Sequence, residues 1–151
     1  MNKTVTGFLV VTALMTASLF AEGSKSSSLT VSVEVIGRTI LTVDSEPASV
    51  EITANDLARG YVDVPQSVLF HVRSNAANGY TVQFQPLAGP FSRADVNWGN
   101  ALATIGSDGA WLSQPYRQGT TTGMFSVRLT LAPGVQAGSY AWPVRFDAGS
   151  L

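Results

Sequence analysis

The chain has 151 residues, a formal net charge of −1 and only 13% charged residues, which gives no electrostatic reason to expect nucleic acid or an anionic membrane as partner. That length holds one domain with a sizeable core and is short for two. The absence of cysteine excludes disulfides, thiolate metal sites and cysteine nucleophiles together, so a secreted form must be held by packing alone.

Met1-Asn2-Lys3 carries a positive charge, and residues 7–20 are apolar and uncharged. This is the pattern of a secretory signal peptide and is short for a membrane-spanning anchor, the rival reading. Cleavage after Gly23 puts small Ala21 at the third position back, whereas cleavage after Ala21 puts Leu19 there. The expected leader is therefore residues 1–23, with export from the cytoplasm.

Residues 24–28 are small and polar, a lead-in without helical pattern. In Leu29-Thr30-Val31-Ser32-Val33-Glu34-Val35, the apolar side chains fall on one face of an extended strand and Thr30, Ser32 and Glu34 on the other. Gly37 breaks the alternation, and Ile40, Leu41 and Val43 resume it. Asp44-Ser45-Glu46-Pro47 is a turn, followed by a short strand with Val50 and Ile52 inward. Residues 55–60 read as a loop with one local helical turn. Val68, Phe70 and Val72, then Tyr80, Val82 and Phe84, alternate on either side of the turn-rich Ser74-Asn75-Ala76-Ala77-Asn78-Gly79, which predicts a β-hairpin.

Residues 86–95 hold two prolines and a glycine and read as a surface excursion. Short strands are expected at residues 96–99 and 101–105, with a turn at Ser107-Asp108-Gly109 before Trp111 and Leu112. Residues 114–123 read as irregular. Phe125, Val127, Leu129 and Leu131 then alternate without a fault, and Tyr140, Trp142, Val144 and Phe146 form a last run after two glycine-containing breaks. Pro143 lies within that run and cannot donate a ladder hydrogen bond, which predicts an edge, a bulge or one-sided pairing. Seven or eight short strands, no long helical periodicity and no fixed internal repeat argue for an all-β sandwich of immunoglobulin type.

Candidates for chemistry are sparse. His71 is the only histidine and lies outward on its strand, without an evident nucleophile or orienting partner for general-base work. Asp44, Glu46, Glu51 and Asp56 lack the spacing of a calcium loop and read as solvated turn residues. Trp98, Trp111, Trp142 and Tyr116 are the material for a sugar-stacking platform, although tryptophan in a small sandwich is more often packing. Trp142, in phase with its apolar neighbours, is assigned to the core. No enzyme activity, metal or cofactor is expected.

The order of features resembles the shaft pilins of the chaperone-usher pathway, in particular the disulfide-free major subunits of class 5 (alpha) fimbriae. The resemblance is carried by Leu29-Thr30-Val31-Ser32-Val33-Glu34-Val35, by the Val68 to Phe84 segment with Arg73-Ser74-Asn75 and Gly79-Tyr80, by Val96-Asn97-Trp98-Gly99, and by Ala137-Gly138-Ser139-Tyr140. Archaic pilins and spore-coat-U-like proteins share that order. Many of them carry a cysteine pair at places comparable to Thr42 and Ser74, which this chain lacks.

The resemblance implies an immunoglobulin-like sandwich (residues 37–151) that is incomplete and is completed by a donor strand from the extension (residues 24–36) of the next subunit. It implies donor residues Leu29, Val31, Val33 and Val35, and a groove lined by Phe125, Val127, Leu129, Tyr140, Trp142, Val144 and Phe146. The implied partners are identical subunits in a homopolymer, a periplasmic chaperone and an outer-membrane usher, with the fimbria at the cell surface. Adhesion in such fibres usually belongs to a separate tip adhesin, to which a major subunit can contribute. The competing reading is a self-complete secreted β-sandwich that binds carbohydrate or protein, with residues 29–35 as its own first strand.

Overall fold

The computed structural model describes residues 30–151. The expected leader with its cut after Gly23, the polar lead-in and Leu29 lie outside the described residues. Residues 30–33 carry no helix or strand and are exposed. In the remainder, residues 34–38 are likewise without regular structure, and the first strand begins at Thr39.

Ten strands follow: β1 (Thr39–Ser45), β2 (Ser49–Ile52), β3 (Tyr61–Ser74), β4 (Tyr80–Phe84), β5 (Phe91–Trp98), β6 (Ala101–Ile105), β7 (Ala110–Gln114), β8 (Thr120–Leu131), β9 (Gly138–Ala141) and β10 (Phe146–Ser150). The one helix among the described residues, α1 (Ala54–Arg59), starts in a capping box. The Thr53 hydroxyl accepts from the Asp56 N–H, and the Asp56 carboxylate accepts from the Thr53 N–H.

The strands form a five-stranded sheet in the order β1-β3-β8-β5-β6, a three-stranded sheet in the order β10-β4-β7, and a β2-β9 pair, all antiparallel. The two larger sheets pack face to face. Phe70 (β3) and Phe125 (β8) on one meet Phe84 (β4) and Phe146 (β10) on the other, with ring centroids of the cross-sheet pairs between 5.0 and 5.7 Å apart. Val68, Val82, Ala94, Val96, Ile105 and Leu129 complete a buried interior, so the fold is an all-β sandwich. The order β1-β3-β8-β5 follows the A-B-E-D sheet of an immunoglobulin sandwich and the neighbours β4 and β10 follow C and F, while β6 and β7 extend the two sheets beside β5 and β4.

Four expectations are corrected. The runs around Phe70 and Val82 are strands but not a hairpin: β3 and β4 lie in opposite sheets, joined across the sandwich by residues 75–79. Alternation identifies a strand's buried face and says nothing of its partner. The supposed excursion at residues 86–95 contains the start of β5, which lies beside β8. A register shift between Phe91 and Arg93 breaks the period of two that would have disclosed it. β8 begins at Thr120, inside the stretch expected to be irregular. Its inward residue there is Gly123, because a Cβ at that position would lie 2.3 Å from Cζ of Phe70. The terminal run from Tyr140 to Phe146 is two strands, β9 and β10, separated by residues 142–145 around Pro143.

Candidate functional site

β10 pairs with β4 on one side only, through Phe146↔Phe84, Ala148↔Val82 and Ser150↔Tyr80. Among the described residues no strand pairs with its other edge, the position that a G strand takes in an immunoglobulin sandwich. β1, paired to β3 on one side, forms the facing edge of the other sheet. The two edges run side by side in opposite directions. At one end Thr39 Oγ1 lies 3.1 Å from Ser150 Oγ, and at the other Arg145 donates to Glu46 at 3.1 Å. Among the described residues no backbone hydrogen bond joins them. This seam therefore presents two rows of backbone donors and acceptors, bridged only by side chains at its ends.

Below the seam the core is less fully covered than elsewhere. Cross-strand partners share a face, so Thr39, Leu41 and Val43 point inward with Ser74, Val72 and Phe70, and Phe146, Ala148 and Ser150 point inward with Phe84, Val82 and Tyr80. The inward residues of the central strands are fully buried, whereas Leu41, Phe146 and Ala148 are half-buried and Val43 is 38% exposed. Thr39, Ala148 and Ser150 are small, and the Thr39 hydroxyl lies 2.9 Å from Ser74 Oγ and 3.1 Å from Ser150 Oγ.

The entry to β1 is fixed in place. Asn75 Oδ1 accepts from the Arg38 N–H, the Asn75 N–H donates to the Arg38 carbonyl at 3.1 Å, and Nδ2 donates to the Ile36 carbonyl at 3.3 Å. Gly37 fits between these anchors because a Cβ there would meet the Cβ of Ala76 at 3.2 Å. Before it, Val31, Val33, Val35 and Ile36 are 73–79% exposed and belong to no strand.

Of the groove residues the resemblance implies, the structure places only Phe146 at the open edge. Phe125, Val127 and Leu129 are buried residues of β8, which lies between β3 and β5 and away from the β1–β10 seam. Tyr140 pairs opposite Val50 and packs edge-on against Phe91, while Trp142 and Val144 are buried in the link between β9 and β10. The seam residues that sequence reasoning missed, Thr39, Leu41, Val43, Ala148 and Ser150, are small or belong to a run assigned elsewhere. A hydrophobic pattern has no signal for a place where side chains are wanting.

The other candidates are scattered. His71 Nε2 lies 2.9 Å from Asp44 Oδ1 on the outer face of the five-stranded sheet, with Thr42 and Thr122 at the cross-strand positions on either side. No group of three His, Asp or Glu among the described residues is placed to hold a metal ion. Asp56 is buried and serves α1: hydrogen bonds from the Thr53 hydroxyl and N–H, with help from Arg59, hold its pKa down at about 2. Trp98 packs against Phe70 and Phe125, and Trp111 is exposed. Compared with family models, curated proteins and solved structures, the chain has no match in any of the three.

Proposed function

We propose that this chain is a structural subunit of a surface fimbria and that it polymerises by donor-strand exchange. The observation that carries the reading is the unpaired edge of β10, where inward Phe146 and Ala148 stay only half-buried, in a chain whose exposed residues 31–35 alternate apolar and polar. Val31, Val33 and Val35 of one subunit, with Leu29 ahead of them, enter the seam of another beside Ala148 and Leu41, and their backbone pairs with both edges. A periplasmic chaperone covers the same seam before an outer-membrane usher assembles the subunits, and a tip adhesin caps the fibre. An uncovered seam exposes apolar side chains together with unpaired backbone, which favours aggregation and explains the need for such a cover.

Electron microscopy and size analysis of the exported protein test this reading. Fibres are expected from the unaltered chain and none from Val33→Asp, which places a carboxylate among apolar side chains without a partner. A stable monomer that never assembles, or fibres from Val33→Asp, would refute it and favour the self-complete binding module.

A further inference from the structure

The three tryptophans occupy three environments: Trp142 is buried, Trp98 packs against core rings, and Trp111 stands 74% exposed on β7, an edge strand. Trp111 points away from the sandwich, as do its neighbour Ser113 and, directly opposite on β4, Gln83. An outward position on a small sheet is ordinarily polar, and an indole left in water forgoes the burial that makes tryptophan favourable elsewhere. The ring borders an open depression of about 380 Å³ whose other lining residues are Thr81, Gln83, Phe84, Asp108 and Ala110. The carboxylate of Asp108 has only a long contact, 3.4 Å from Ser107 Oγ, so its acceptor capacity is available.

The geometry points to a binding site for a neutral saccharide at Trp111. The apolar area is the size of one ring and is bordered by an amide, a carboxylate and a hydroxyl. Docking of an apolar protein surface needs a contiguous patch of several hundred Å², roughly the scale of recognised interaction patches, and Gln83, Thr81 and Ser113 interrupt any such patch here. A pyranose has the complementary form, with one face of C–H groups that stacks on the indole and a rim of hydroxyls for Gln83, Asp108 and Thr81. Among the described residues Asp108 is the only charged one in the lining, which holds no arginine or lysine. The site therefore selects against sialylated and uronic sugars, whose carboxylates it repels. It lies on the three-stranded sheet's outer face and does not depend on how the seam is filled.

The test is a titration of the mature chain with the methyl glycosides of galactose, glucose, mannose and N-acetylglucosamine and their β-linked disaccharides, followed by the indole N–H resonances. At least one neutral glycoside is expected to move the Trp111 signal saturably, with the Trp98 and Trp142 signals unmoved. Trp111→Ala should weaken binding by about tenfold or more, Gln83→Ala by several-fold, and Trp111→Phe should retain part of it. A sialylated analogue of the best ligand should bind more weakly and gain from Asp108→Asn. The inference is overturned if no glycoside of the panel moves the Trp111 signal, or if a bound sugar is held equally well by Trp111→Ala. Since Trp111 is exposed, unchanged thermal unfolding of each variant establishes that a loss of binding is local.

Discussion

Appending residues 24–36 a second time after Leu151, through a flexible linker, makes the proposed donor intramolecular. β10 ends at Ser150 and the Leu151 N–H bonds the Gly79 carbonyl at 3.1 Å. The chain end thus lies at the Thr39–Ser150 end of the seam, and a short linker can return a strand antiparallel to β10. The informative comparison is between this chain and the same chain with Val33→Asp in the appended copy alone, because the cost of ordering the strand is common to both. Val33 is 79% exposed where it stands, and fully burying a valine is worth about 1.5–3 kcal/mol. The aspartate forgoes most of that and adds the penalty of an unpaired carboxylate, several kcal/mol in an apolar site. The difference should be on the order of 3 kcal/mol or more, or roughly 10 °C in Tm for a domain of this size. Thermal and urea unfolding followed by circular dichroism measure it, with size analysis to establish that both proteins are monomeric. If the two appended chains unfold together, or if neither is more stable than the unmodified protein, the seam does not take residues 29–35 as its missing strand.

Three further outcomes are expected. Gly123→Ala should destabilise the sandwich by about 1–3 kcal/mol in urea unfolding, because the Phe70 ring that its Cβ would strike is fully buried against Phe125 and Trp98. Phe70→Leu should recover part of that loss in the double variant, and additive losses would count against the contact. Asp56 has its folded pKa lowered from 3.8 to about 2, so its stabilising contribution is present above the ordinary value and fades as pH falls from about 4 towards 2. Asp56→Asn should accordingly unfold at lower urea than the parent at neutral pH, with the gap closing in acid, and a gap independent of pH would show that the carboxylate is not the stabilising species. N-terminal sequencing of the exported protein should begin at Ser24, and recovery of residues 1–20 in a membrane fraction would support an anchor instead.

The class of the fold was legible because β3, β4 and the second half of β8 place apolar residues at every second position, and burial of one face requires no more than that. Partnership was not legible: Val72 and Tyr80 are separated by a turn-rich link in either a hairpin or a crossing between sheets, and the choice depends on which faces meet across the core. β5 was hidden by a bulge at Phe91, where one inserted residue shifts the phase for Ala94 and Val96. The extension's alternation was plain in the sequence. The seam was not, since it is defined by small residues, Thr39, Ala148 and Ser150, and by strand edges left unpaired, which no residue type announces.

The passage of the chain from β1 into β2 bears on mechanical load. β1 is held by β3 through six register pairs, and only a few residues later β2 is held by β9 through four. A pull on residue 38 directed along β1 loads the β1–β3 ladder in shear, so that its hydrogen bonds are strained together instead of being peeled one at a time. Only when that ladder gives way does tension reach the second, anchored on a different strand. The two ladders act in series as successive stops, and the Asn75 clasp on Ile36 and Arg38 is the first part to feel the force. A sandwich drawn from its N-terminal end should therefore yield in steps, each at a force set by one ladder.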